Sequence, residues 1–120
     1  AATGISAPPT FTPIVADYYS GMEVTVPIKA EGVKKSDVEK VMAEYYAKQS
    51  LVTFTESMDD GGFIAAGRLS GTNRLEITVE GNDDNILLIA TYDNLGKGAS
   101  GAAIQNMNIM LGIDETKGLV

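Results

Sequence analysis

From Met22 to Ile28 apolar and polar residues alternate. Met22, Val24, Val26 and Ile28 fall on one face, and Glu23, Thr25 and Pro27 on the other. This is the period-two signature of a half-buried strand. Pro27 has no N–H to give a ladder, which predicts an edge position or a bulge there. The period then changes. Ser36-Asp37-Val38-Glu39 has capping-box spacing, and Val38, Val41, Met42 and Tyr45 recur at helical intervals. A helix running to about Lys48, with that stripe against a sheet, follows. Lys40 and Glu44 sit one i,i+4 step apart on another face.

A second strand is predicted over about Leu51 to Glu56, where Val52 and Phe54 alternate with Thr53 and Thr55. Met58-Asp59-Asp60-Gly61-Gly62 reads as an acidic turn, and Phe63 to Arg68 carries no decisive period. Leu75, Ile77 and Val79 alternate with Glu76, Thr78 and Glu80. The turn residues Gly81-Asn82-Asp83-Asp84-Asn85 separate that run from Ile86 to Tyr92, giving a hairpin. Ile86-Leu87-Leu88-Ile89-Ala90 is apolar throughout, the pattern of a strand covered on both faces by a helix and by another subunit or domain. The elements together predict an α+β fold, an antiparallel or mixed sheet with helices packed on one face. Residues 1–20, rich in Pro and Thr and starting Ala1-Ala2-Thr3, read as a linker or truncated lead, and 21–120 as the domain.

Composition narrows the chemistry. The chain has 120 residues, 44% hydrophobic and 21% charged, enough for one domain core. Nine basic against 16 acidic residues give a net charge of −7, which repels nucleic acid and anionic membranes alike. No apolar run approaches the roughly 20 residues of a membrane span, and the first residues do not form a secretory signal. A cytoplasmic setting is the expectation. Without any Cys or His, the chain has no disulfide, no thiolate metal site and none of the usual imidazole ligands. Ser100 therefore has no histidine to activate it. The pairs Asp59-Asp60 and Asp83-Asp84 lie in turn-like sequence where carboxylates are common.

Gly96-Lys97-Gly98-Ala99-Ser100-Gly101 has the letters of a dinucleotide fingerprint between a strand and a helix. It lacks the second parallel strand and the acidic ribose ligand of such a unit. Nor is it a phosphate-binding P-loop, because Lys97 is followed by Gly98 in place of Ser or Thr. Gly112 reads as the left-handed residue ending the helix. Gly98 and Gly101 leave two readings open: a tight turn, or close approach of a partner backbone or ligand to the helix start. Ile104, Met107, Met110 and Leu111 form a stripe expected to be core. Gln105, Asn106 and Asn108 line the faces beside it, as a solvated surface or as ligand donors. Arg74 lies two residues from Glu76 on one strand face, where it either pairs with that carboxylate or clamps a substrate carboxylate. Tyr18 and Tyr19 offer hydroxyls upstream of the first strand.

Two blocks carry a family resemblance. Gly71-Thr72-Asn73-Arg74-Leu75-Glu76-Ile77 is one; the other is Asp93 through Gly112 with Glu115-Thr116-Lys117-Gly118-Leu119. They resemble the C-terminal part of the N-acetyl-gamma-glutamyl-phosphate reductases, oxidoreductases of arginine biosynthesis. The fold then implied is similar to the C-terminal domain of glyceraldehyde-3-phosphate dehydrogenase-like and semialdehyde dehydrogenases. The resemblance implies NADP-dependent reduction of an acyl phosphate to N-acetylglutamate semialdehyde, with a Cys nucleophile and a His acid/base that this chain lacks. It also implies an N-terminal Rossmann domain as partner, a homo-oligomer, and a chain that is inactive alone. By resemblance, Lys97, Gly98, Ala99, Ser100, Gly101 and Asn106 are the cofactor-cleft residues, on a helix spanning 98–112 that packs against the Rossmann domain. Tyr18, Tyr19 and Arg74 are the substrate candidates. Ile14 and Tyr19-Ser20 stand where the family commonly has His and Asn-Arg. The rival is a non-catalytic ferredoxin-like module for interaction or small-ligand sensing, for which the strand–helix–strand pattern suffices.

Overall fold

The alternating runs pair into one mixed four-stranded sheet in the computed structural model, which describes residues 9–120. Strand β1 is Met22–Ile28, helix α1 is Lys35–Tyr46, and β2 is Val52–Phe54. The hairpin strands are β3, Leu75–Gly81, and β4, Ile86–Tyr92; helix α2 is Gly101–Met110. The order across the sheet is β1-β4-β3-β2, antiparallel except for the parallel pair β2 and β3. Pro27 pairs with Leu87 from the edge strand β1, where its missing N–H costs the ladder nothing.

Register puts Val24, Ala90, Ile77 and Phe54 on one face and Thr25, Ile89, Thr78 and Thr53 on the other. Helix α1 lies against β2 and β3. The loop between β2 and β3 returns over the opposite face. There Met58 takes the Thr91 hydroxyl on its sulfur at 3.6 Å, and Thr78 donates to the Glu56 carbonyl at 3.4 Å. Val79, Ile86, Thr78 and Thr91 of the central pair have no solvent contact, while Leu87, Leu88 and Ala90 of β4, outside the strands that α1 lies against, are only half-buried.

Three local expectations are corrected. The capping residue of α1 is Lys34 in place of Ser36, and Asp37 accepts the Lys34 N–H at 3.2 Å. Glu39 pairs instead with Lys35 at 3.1 Å. The helix starts earlier because the Asp83 carboxylate in the hairpin turn accepts the Lys35 N–H at 2.9 Å, a long-range tie. The α1 stripe is rotated: Val38, Met42, Ala43 and Tyr46 are half-buried, while Val41 and Tyr45 are exposed. A short edge strand such as β2 covers only part of a helix face, so one flank of the stripe stays in water. Finally, Glu76 does not pair with Arg74. Arg68 reaches it from the covering loop at 2.8 Å, meeting the buried Oε2 as an ion pair off the axis of a hydrogen bond.

Candidate functional site

Three backbone segments converge beyond the end of β4, and Asp93 joins them. Its carboxylate, about 2% exposed, accepts the N–H groups of Gly71, of Leu95 at 2.6 Å and of Gly96 at 3.1 Å. Amides aimed at a carboxylate favour its charged form. The Gly71 bond is the strongest influence; burial opposes it, and the Gly96 and Leu95 amides and the Ser20 hydroxyl add to it. The balance holds the carboxyl below its ordinary 3.8.

Asn94 adds a second tie by accepting the Gly21 N–H at 2.9 Å, and the Ser70 hydroxyl donates to the Ser20 carbonyl at 2.9 Å. Gly21 is buried at φ 118°, and a Cβ there would lie 2.7 Å from the Ala66 carbonyl oxygen. Only glycine combines that dihedral with that clearance. The approach to β1, the Gly71-Thr72-Asn73 turn and the glycine run are thus one junction.

The glycine run does not enter α2 directly. Gly96–Ser100 forms a π-helical turn, with the Gly98 N–H bonded to the Asp93 carbonyl at 2.8 Å. Widened turns of this kind recur at functional sites. A Cβ on Gly96 would stand 2.4 Å from the Thr72 carbonyl oxygen, and one on Gly101 would stand 2.1 Å from Asn73 Oδ1. Close approach thus accounts for Gly101, and the approaching group is this chain's own Asn73. Gly98 is exposed, and a Cβ on it would stand 3.1 Å from the Tyr92 ring.

Helix α2 inverts the expected burial. Its buried residues are Gly101 and Asn108, whereas Ile104, Met107, Met110 and Leu111 are exposed, Met110 to 86%. Asn108 donates to the carbonyls of Glu115 at 3.3 Å and Lys117 at 3.0 Å, and Asn73 donates to that of Leu119 at 3.0 Å. Polar residues therefore pin the C-terminal tail beneath the helix. The apolar stripe, expected to be core, faces outward. The helix closes as predicted at Gly112, φ 68°, in a Schellman arrangement: the Ile113 N–H meets the Asn108 carbonyl and the Gly112 N–H that of Ile109, both at 3.1 Å.

The sequence candidates sit as follows. Lys97 is half-buried; Gly98, Ala99, Ser100 and Asn106 are exposed on the turn and helix; Gly101 is buried. Ser100 donates its hydroxyl to the Leu95 carbonyl at 3.2 Å. Arg74 is exposed just after Asn73, and Tyr18 and Tyr19, 52% and 90% exposed, precede the Ser20-Gly21 contact. The junction brings together the three segments that carry these residues.

Burial lowers the affinity of Lys97 for its proton, and Glu115 offsets this. Sequence reasoning missed Asp93, Asn73 and Asn108 as organisers. The available signal was Asp93 directly before a glycine turn, where an Asx-type bond to the residue two ahead is common. Two surface grooves lie elsewhere. One of about 420 Å³ is lined by Met58, Asp59, Arg68 and Glu76, and one of about 520 Å³ by Glu39, Ala43 and Phe54. Neither groove is lined by Asp93, Gly96 or Gly101. Among the described residues no helix is long and apolar enough to cross a membrane.

Comparison with known proteins fits this geometry. The chain is 40% identical to N-acetyl-gamma-glutamyl-phosphate reductase 2 of Nostoc sp. over 98% of its length, covering 40% of that protein. It is 39% identical to N-acetyl-gamma-glutamyl-phosphate reductase of Trichormus variabilis, again over 98% of this chain and 40% of the relative. The corresponding reductase of Burkholderia ambifaria is 36% identical over 92% of the chain and 38% of the relative. The chain thus spans about two-fifths of the length of these curated relatives. Residues 1–94 match the family described as semialdehyde dehydrogenase, dimerisation domain. With a mixed α+β sheet of the expected class and this match over most of its length, the chain belongs to the semialdehyde dehydrogenase dimerisation-domain family.

Proposed function

We propose that this chain is the dimerisation and substrate part of a cytoplasmic, NADP-dependent N-acetyl-gamma-glutamyl-phosphate reductase. The reaction converts an acyl phosphate to N-acetylglutamate semialdehyde in arginine biosynthesis. The observation that carries this reading is the inverted helix α2. An outward row of Ile104, Met107, Met110 and Leu111 beside an exposed glycine turn needs a second surface, and the relatives are reductases of about two and a half times this length. In this reading that surface belongs to a Rossmann domain of the same enzyme.

The residues available at the junction fit such a cofactor. Asn106 is an exposed amide with donors and acceptors for a carboxamide, Lys97 supplies positive charge, and Gly98 leaves backbone accessible. Gly101 serves inside the chain, against Asn73, and supports the turn without offering a ligand surface. NADPH, when bound, supplies the hydride. With no Cys and no His in this sequence, the nucleophile and proton donor come from outside it, and the chain alone is inactive. What it contributes is placement, which by itself is worth several kcal/mol of barrier when it holds reacting groups in near-attack geometry. Arg74 and the Tyr18-Tyr19 segment are the substrate-side candidates in the same reading.

The test is a fusion in which this chain replaces the matching two-fifths of the Nostoc reductase. The fusion is expected to oxidise N-acetylglutamate semialdehyde with NADP and phosphate. A folded, correctly assembled fusion that shows no such turnover refutes the proposal.

A further inference from the structure

Lys97, Gln105 and Glu115 come from the glycine turn, helix α2 and the C-terminal tail, and their side chains form one line of donors and acceptors. The Lys97 ammonium donates to Gln105 Oε1, and Gln105 Nε2 donates to Glu115 Oε2 at 2.8 Å. A side-chain amide has one accepting end and one donating end. A cation on one side and a carboxylate on the other therefore allow Gln105 a single orientation. The backbone that carries this carboxylate is anchored, because buried Asn108 donates to the carbonyls of Glu115 and Lys117 under the helix.

A lysine stem is flexible, and placing its charge costs conformational entropy whenever a ligand must do the ordering. Here the protein orders it in advance. A carboxylate touching the ammonium directly would compete with an incoming anion. The interposed amide keeps Glu115 one side chain away, so its field reaches Lys97 while only one of the three ammonium donors is committed among the described residues. Half-burial alone would weaken the charged form of Lys97, and Glu115 is the charged group that counters it.

We propose that Gln105 and Glu115 are positioning residues that hold the Lys97 ammonium at the glycine turn for a phosphate-bearing ligand. The ligand assignment rests on the cofactor-cleft reading above; the positioning does not.

Two measurements separate them. In this chain, labelled lysine side chains are titrated by NMR in the natural protein, Glu115→Gln and Glu115→Asp. Glu115→Gln keeps the shape and an acceptor for Gln105 but removes the charge. It is expected to lower the Lys97 titration midpoint and shift the Gln105 amide signal, with Glu115→Asp recovering part of both. The Asn108 amide signal should stay in place as a check on the tail. An unchanged Lys97 midpoint and Gln105 signal in Glu115→Gln overturns the positioning role.

In the Nostoc fusion, Glu115→Gln is expected to raise KM for NADP or for inorganic phosphate by roughly two- to fivefold, the range of a partly exposed ion pair, with kcat retained. A rise confined to NADP assigns the ligand as the cofactor, and a rise confined to phosphate assigns the acyl-phosphate group. If the NMR shifts occur but neither KM moves in an active fusion, the phosphate-facing role is overturned and the cofactor-cleft reading loses Lys97.

Discussion

Replacing Asp93 by Asn isolates the charge that ties the junction together. The substitution keeps volume and leaves Oδ1 to accept from Leu95 and Gly96, but it turns an amide N–H₂ toward the Gly71 N–H, where the carboxylate Oδ2 now accepts. Hydrogen bonds to a charged group contribute about 1.5–3 kcal/mol each and neutral ones about 0.5–1.5, while an orphaned buried donor costs about 1–3. Two bonds weakened by about 1 kcal/mol each and one lost outright give about 3–5 kcal/mol. The cover over Asp93 is the backbone of turns, which can readjust, so the low end, about 3 kcal/mol, is the expected loss. Against a typical total of about 5–15 kcal/mol this is large. With a urea slope of about 1–3 kcal/mol/M the midpoint should fall by about 1–3 M.

The pH dependence checks the cause. The folded-state affinity of Asp93 for its proton is depressed below 3.8, so its contribution is complete above the unfolded pKa and is lost as pH falls through the lower folded value. The gap between natural and Asp93→Asn midpoints should therefore be widest near neutral pH and narrow once the pH drops below the folded-state value. Urea unfolding followed by circular dichroism at both ends of that window measures it. Equal midpoints at neutral pH would refute the role given to Asp93, and a gap that did not narrow in acid would refute its electrostatic origin.

Three further substitutions probe the same architecture. Gly96→Ala places a methyl 2.4 Å from the Thr72 carbonyl oxygen; a loss of about 1–3 kcal/mol in thermal or urea unfolding is expected, and unchanged stability would show that the turn yields freely. Asn108→Ala strips the buried donor to the Glu115 and Lys117 carbonyls, so about 1–3 kcal/mol should be lost, with faster amide exchange confined to residues 113–119; uniform exchange would contradict a local clamp. Met110→Lys, at a residue 86% exposed, should change this chain's own stability by less than about 0.5 kcal/mol yet weaken assembly of the Nostoc fusion; an effect on the isolated chain would mean the stripe is internally packed.

Strand identity was legible because alternation records which residues share a sheet face, and Met22 to Ile28, Leu75 to Val79 and the turn at 82–85 form the elements their periods indicate. Which face is wet was not: Thr78 on the polar face is buried under the covering loop, while Met22 and Val26 on the apolar face are exposed. Pro27 at an edge and Gly112 at a left-handed cap were equally local, since each depends on one residue's backbone chemistry. The start of α1 was not legible. It depends on Asp83, 48 residues away, accepting the Lys35 amide. Likewise the partner of Glu76 is Arg68, brought over the sheet by a loop whose path no period encodes.

Alone, the sequence determined the α+β class, the main elements, the family and the absence of a thiol or imidazole, because these are matters of pattern and residue type. Only the tertiary structure decided that β2 runs parallel to β3, that Asp93 knots three distant segments, and that α2 buries its asparagine and exposes its methionines. Amphipathic periodicity reveals that a helix has an apolar face, but it is silent on whether that face meets its own core or another surface. That choice belongs to the long-range hydrogen bonds of Asn73 and Asn108, which hold the tail beneath the helix and turn the stripe outward.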